Sequence, residues 1–152
     1  MAVDVSQELG SPQLAATSVC PRGAAWRRTS RQAYSPLAML VAPLVIRVMF
    51  GRRPDPDPAQ TPQFGQIAWL AVTKDELALV RRRKGRNGET FEALARVPLA
   101  EVQAFDLGRA RLVWPITVTF RDGGTWRLET ARYGKKGAKA VAAVVSGALQ
   151  HV

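Results

Sequence analysis

The chain has 152 residues, enough for one ordinary domain, and a hydrophobic fraction of 47% excludes a wholly disordered protein. Its 22 Lys and Arg against 12 Asp and Glu give a formal net charge of +10, which favours phosphates, anionic lipid or acidic protein surfaces as partners. Cys20 is the only cysteine, which excludes an intrachain disulfide and a paired-cysteine zinc site, and the first residues lack a secretory signal pattern. We therefore expect a cytoplasmic protein with one folded core.

The N-terminal third shows no regular hydrophobic period until a short apolar run. Residues 1–35 are mostly small or polar and end in several arginines, so we predict a flexible basic arm. For residues 36–51 we predict a short apolar helix, whose run from Leu37 to Phe50 would extend only about 21 Å against roughly 30 Å of bilayer hydrocarbon. It is expected to pack on the domain or to lie at a membrane interface. Candidate membrane or partner contacts are Leu40, Leu44, Met49, Phe50, Arg52 and Arg53.

Residues 52–62 carry four prolines in a polar stretch. Proline favours extended backbone and removes hydrogen-bond donors, so this stretch predicts a linker. We expect the folded domain to occupy residues 63–152.

Beyond the linker, the pattern predicts a meander of short strands. The Asn87-Gly88 pair takes positive φ at low cost and predicts a tight hairpin, and Asp122-Gly123-Gly124 predicts another. From Lys135 to Gln150 apolar residues recur at three- and four-residue spacing, which predicts a closing amphipathic helix. The predicted strands lie at about 64–73, 77–82, 90–97, 102–107, 116–120 and 126–130.

Three stretches carry a resemblance to a known family: IAWLAVTKDELALV at 67–80, VPLAEV at 97–102 and FRDGGTWRL at 120–128. With the closing helix, residues from about 64 to 150 resemble the bacterial pleckstrin-homology-like and GRAM-like domains. The resemblance implies an α+β, mainly β fold, a strongly bent antiparallel sheet or open barrel of about six or seven strands capped by the C-terminal helix. It also implies core positions at Trp69, Phe120, Trp126 and Val141, and binding in place of catalysis.

Two groups of basic residues are the candidate binding sites. One is the run from Arg81 to Arg86, and its place at the far end of the second strand departs from the pattern of phosphoinositide-binding members of the family. The other opens the last helix, where basic side chains and exposed helix amides favour a phosphate or a headgroup. The candidate anion- or lipid-binding residues are Arg81, Arg82, Arg83, Lys84, Arg86, Lys135, Lys136 and Lys139.

Nothing in the sequence predicts catalysis, a metal site or a cofactor. The single histidine, His151, is the penultimate residue, and Cys20 lies in the predicted arm without a nearby base. We therefore predict a non-catalytic binding or scaffold module that is peripheral to a membrane or docks an acidic partner protein through a basic face. The alternative is a nucleic-acid-binding protein that uses the Arg-rich arm and the hairpin. The sequence identifies no small-molecule substrate and no oligomeric state.

Overall fold

The computed structural model describes residues 4–24, 61–62, 64, 67–85, 88–109 and 112–150. Within them, seven strands follow a short helix, and a longer helix follows the last strand. Short 3-10 turns at Leu99–Glu101 and Arg132–Gly134 precede the fifth strand and the longer helix. In chain order the elements are α1 (Ser6–Leu9), β1 (Ala15–Pro21), β2 (Ala68–Val72), β3 (Glu76–Gly85), β4 (Gly88–Pro98), β5 (Val102–Leu107), β6 (Val113–Phe120), β7 (Thr125–Ala131) and α2 (Lys135–Leu149).

The seven strands form one antiparallel sheet in the order β4-β3-β2-β1-β7-β6-β5. Strand β1 joins its two halves, because residues 15–19 pair with β2 whereas Cys20 and Pro21 pair with β7. Within the described residues no pairing joins the outermost strands β4 and β5, so the sheet is not closed. The prediction of a mainly β, α+β fold with an antiparallel sheet of about seven strands and one C-terminal helix is confirmed.

The main hydrophobic core lies between one face of the sheet and α2. Ala138, Val141 and Val145 are the buried residues of α2, and their three- and four-residue spacing is the predicted apolar stripe. Phe120 and Trp126 flank the β6–β7 turn and meet edge to face, with ring centroids 4.9 Å apart. The predicted core positions Phe120, Trp126 and Val141 are therefore confirmed.

The opposite face of β2 and β3 is also buried, which corrects the prediction for Trp69. This tryptophan packs against a second, smaller cluster under the N-terminal segment and not in the main core. Arg96 of β4 fixes that segment, because its guanidinium lies 3.8 Å from the Glu8 carboxylate and donates to the Leu9 carbonyl oxygen at 3.4 Å. The buried residues of the second cluster are Val5, Leu9, Ala71, Ala78 and Val80.

The prediction of a flexible arm over residues 1–35 is wrong for its described part. Residues 6–9 form α1, and β1 is the central strand, with Thr17 and Val19 each only 2% exposed. The strand escaped prediction because its sequence, AATSVCP, lacks the large apolar side chains that indicate a buried strand. Its side chains are small because α2 begins directly on it: a Cβ atom at Gly137 would lie 2.5 Å from the Ala16 carbonyl oxygen.

The predicted domain boundary at residue 63 is also wrong, since the folded unit includes residues 4–24. Residues 36–51 and most of the predicted linker lie outside the described residues, but Thr61 is buried, and its hydroxyl oxygen accepts a 2.9 Å hydrogen bond from the Arg127 backbone N–H. The Arg22 N–H donates to the carbonyl oxygen of the same Arg127 at 3.3 Å. The chain therefore leaves β1 and returns towards β2 beside one residue of β7.

Candidate functional site

The first candidate is the hairpin cluster, which we define as Arg81, Arg82, Arg83 and Lys84 at the end of β3. The register of the hairpin brings two glutamates of β4 among these cations: Glu92 lies opposite Arg81, and Glu89 lies opposite Lys84. Successive side chains of a strand face opposite sides of the sheet. Arg81 and Arg83 therefore share one face with Glu92, and Arg82 shares the other with Glu89.

Three of the four cations in the hairpin cluster are paired with these glutamates. The Glu92 Oε2 atom lies 2.9 Å from Nη2 of Arg81 and 2.7 Å from Nε of Arg83. Arg82 pairs with the Glu89 carboxylate on the other face. The hydrogen bond from Arg81 holds the pKa of Glu92 below its ordinary value, and the charge of Arg83 acts in the same direction. Much of the cluster's charge is thus balanced inside the hairpin.

The second candidate lies where β7 leads into α2, and we call its four cations the α2 patch: Arg132, Lys135, Lys136 and Lys139. Two hydrogen bonds fix this part of the chain against the sheet. The Thr17 hydroxyl of β1 donates to the Gly134 carbonyl oxygen at 3.0 Å, and the Arg132 N–H donates to the Leu112 carbonyl oxygen at 3.0 Å. The backbone that leads into the α2 patch is therefore hydrogen-bonded to its neighbours on both sides of Tyr133.

The α2 patch differs from the hairpin cluster in its partners. The Lys135 ammonium lies 4.5 Å from the ring centroid of Trp114, a cation–π contact that leaves its charge uncompensated. Arg132, Lys136 and Lys139 are exposed. None of the ion pairs found in the described part of the chain includes a member of the α2 patch. These charges are therefore available to an external anion.

The two candidates lie at opposite ends of the strands. In the observed order, β3 runs antiparallel to β7, so the end of β3 is at the edge of the sheet where β7 begins. The hairpin cluster is at that edge, whereas the α2 patch follows the end of β7. The two groups of cations therefore lie at opposite ends of these strands.

Some predicted site residues fall outside the part of the chain that the structure describes. They include Arg86 and all six candidate membrane or partner contacts, Leu40, Leu44, Met49, Phe50, Arg52 and Arg53. Among the described residues, no helix has the length and apolar character needed to cross a bilayer.

Sequence reasoning missed Arg132 and Tyr133 as members of the same surface as the predicted lysines. Tyr133 is 93% exposed, an unusual position for an aromatic side chain in a fold with a well-packed core. The available signal was the run Arg-Tyr-Gly-Lys-Lys at 132–136, which places a cation and an aromatic ring directly before the predicted helix.

The outer face of the sheet carries a buried carboxylate that was not predicted. Glu129 of β7 is 6% exposed, its carboxylate accepts a 2.9 Å hydrogen bond from the Gly23 N–H, and its Oε1 atom lies 3.6 Å from the Cys20 sulfur. These contacts hold the chain where it leaves β1. Across the described ranges, no three His, Cys, Asp or Glu side chains come together in a group that could hold a metal ion.

No family model matches the sequence, and no curated protein matches it at a significant level. Among the described residues, the α2 patch is the basic surface best suited to bind an external anion. Three of its four cations are exposed, and none is paired with an acidic side chain in the described part of the chain.

Proposed function

We propose that this protein is a non-catalytic binding module that docks on anionic surfaces through the α2 patch. The observation that carries the proposal is the contrast in pairing: three of the four cations of the hairpin cluster are paired with Glu89 or Glu92, whereas the α2 patch has no ion-pair partner among the described residues. Exposed cations attract phosphate-bearing surfaces, and each contributes about 1 kcal/mol of binding free energy near anionic lipid. The proposal places the protein at the cytoplasmic face of a membrane.

We further propose that the fold is of the pleckstrin-homology-like kind. Support comes from the meander of seven short strands, from β1 as the strand shared by both halves of the sheet, and from the single helix that packs on the core after the last strand. Domains of this kind usually bind lipids or protein segments, which agrees with a binding role.

The experiment uses the full-length protein with vesicles that contain phosphatidylglycerol and with neutral phosphatidylcholine vesicles. The double variant Lys136→Gln/Lys139→Gln removes two charges of the α2 patch. We expect its affinity for the anionic vesicles to fall about tenfold or more at low salt, from about 1 kcal/mol per cation. Binding of the unchanged protein should weaken as salt rises, because the screening length shrinks to about 8 Å at physiological ionic strength.

The matched control is Lys84→Gln/Arg121→Gln, which removes two exposed charges from the opposite end of the strands. Its affinity for anionic vesicles should stay within about twofold of the unchanged protein. Equal losses of vesicle affinity in both double variants would mean that only net charge matters. A larger loss of affinity in the control would mean that the protein binds through the hairpin end. Either result would overturn the proposal.

Nucleic-acid binding through the hairpin receives less support, because phosphate oxygens would have to displace Glu89 and Glu92 from the arginines. The same variants separate the two functions. A nucleic-acid function would give a salt-dependent mobility shift that Lys84→Gln/Arg121→Gln weakens and Lys136→Gln/Lys139→Gln leaves unchanged.

A further inference from the structure

Most of the large apolar side chains that the described residues leave exposed are grouped beside the α2 patch. There are four such side chains: Leu14 and Ile67 are each 55% exposed, Leu112 is 37% exposed and Tyr133 is 93% exposed. Tyr133 is the neighbour of Arg132, whose N–H bonds to the Leu112 carbonyl oxygen. Leu14 lies on the same groove as Tyr133 and Lys136. Three of the four therefore share one end of the molecule with the exposed cations.

A groove between β1 and the beginning of α2 lies at this end of the molecule. It has a volume of about 620 Å³, with Leu14 and Tyr133 as its largest apolar side chains and Lys136 on its lining. Its remaining lining consists mainly of small residues of β1 and α2, which form the floor of the groove between the larger side chains. The backbone of Leu14 is fixed, because its N–H donates to the Val72 carbonyl oxygen at 2.9 Å. The apolar side chains therefore project from fixed backbone.

Exposed apolar side chains next to cations fit an anionic bilayer better than they fit a soluble polyanion. A soluble polyanion offers charge alone, and it would leave Leu14, Leu112 and Tyr133 in water. An anionic bilayer offers phosphates at the level of the headgroups and hydrocarbon just beneath them. Tyrosine suits that boundary, because its ring is apolar and its hydroxyl remains hydrated. The charge and the apolar character of this end are therefore complementary to an anionic lipid surface.

We propose that this end of the molecule is a membrane-insertion edge, at which Leu14, Leu112 and Tyr133 enter the headgroup and acyl boundary while the α2 patch binds lipid phosphates. The inference rests on the proposed function and adds how the surface is held: by insertion of apolar side chains as well as by charge. It accounts for both features of this end, the exposed apolar side chains and the cations without acidic partners in the described part of the chain.

The test compares the full-length protein with the variants Leu14→Ser/Tyr133→Ser and Ile67→Ser. Ile67 is the matched control, because it is as exposed as Leu14 but lies at the opposite end of β2. Each protein is titrated with phosphatidylglycerol vesicles and, separately, with soluble polyphosphate. Circular dichroism verifies that each variant is folded.

We expect Leu14→Ser/Tyr133→Ser to bind the vesicles about tenfold more weakly and polyphosphate with unchanged affinity. Ile67→Ser should bind both within twofold of the unchanged protein. Vesicle affinity that is unchanged in the double variant, or reduced equally by Ile67→Ser, would overturn the insertion edge and leave the proposed function standing. Failure of the unchanged protein to bind either vesicles or polyphosphate would overturn the proposed function itself.

Discussion

The hairpin cluster and the α2 patch are equally basic in sequence but differ in what the fold places beside them. The hairpin cluster is followed on the return strand by two glutamates, and the antiparallel register brings both within reach of its arginines. The α2 patch lies between a strand end and a helix, where Trp114 is beside Lys135 and the exposed side chains of Leu14 and Tyr133 line one groove with Lys136. One region therefore pairs most of its cations internally, and the other presents its cations to solvent.

This difference shows that a count of basic residues is a poor guide to a binding surface. Ion pairs between exposed side chains contribute little to stability, about 0 to 1 kcal/mol each. They nevertheless lower the local potential and occupy the guanidinium groups that would otherwise bind phosphate. The partners of a cation therefore matter as much as its exposure, and they depend on strand register and helix position.

The largest expected effect comes from disturbing the support of the α2 patch. In Gly137→Ala the added Cβ would lie 2.5 Å from the Ala16 carbonyl oxygen, a backbone atom, so α2 must shift away from β1. We expect a loss of about 1 to 3 kcal/mol in the free energy of unfolding, measured by chemical denaturation. The control, Gly147→Ala, meets nothing within 4 Å and should gain up to about 1 kcal/mol from helix propensity. Equal stability of the two variants would contradict the close packing of α2 on β1.

A smaller effect is expected when the hairpin cluster is released from its internal partner. Glu92→Gln frees Arg81 and Arg83 from one carboxylate, so the hairpin should become a second anionic-surface site, with about three- to tenfold higher affinity for phosphatidylglycerol vesicles. Glu101→Gln adds the same net charge without releasing an arginine, and its vesicle affinity should change by less than twofold. An identical gain of vesicle affinity in both variants would mean that the ion pairs do not prevent the hairpin cluster from binding anions.

The smallest effect concerns pH. Because the folded state holds the pKa of Glu92 below its ordinary value of 4.5, this carboxylate contributes stability above about pH 4.5, and the contribution is lost as pH falls through the lower, folded pKa. Replacement by Gln removes the contribution. The fall in Tm between pH 7 and pH 3, measured by circular dichroism, should therefore be smaller in Glu92→Gln than in the unchanged protein. A fall as large as that of the unchanged protein would indicate that the pairs with Arg81 and Arg83 do not persist in solution.

Much of the fold could be predicted because its later strands carry strong local signals. Alternation of apolar and polar residues marks β6 and β7, and the helical spacing of Ala138, Val141 and Val145 marks α2. Strand β1 could not be predicted in the same way, because contact with α2 at Gly137 requires small residues in place of large apolar ones. A central strand can thus have the weakest sequence signal when the packing around it is tightest.

The candidate sites were predictable to different degrees. The pairing of Arg81 with Glu92 follows from the hairpin turn, because counting outwards from the Gly85–Gly88 pair makes these residues cross-strand neighbours. The surroundings of the α2 patch did not follow from local sequence. Leu14 is more than a hundred residues from Tyr133 in the chain, and only the sheet order brings them to one groove.

The most direct test of the central claim is the orientation of the protein on a membrane. Spin labels placed by Tyr133→Cys or by Lys84→Cys, each combined with Cys20→Ser in the full-length chain, report their depth through collisions with oxygen, which is enriched in lipid, and with a water-soluble nickel complex. On phosphatidylglycerol vesicles, the label at 133 should become more accessible to oxygen and less accessible to nickel, while the label at 84 should remain in water. A label that enters lipid at 84 and stays in water at 133 would contradict the account.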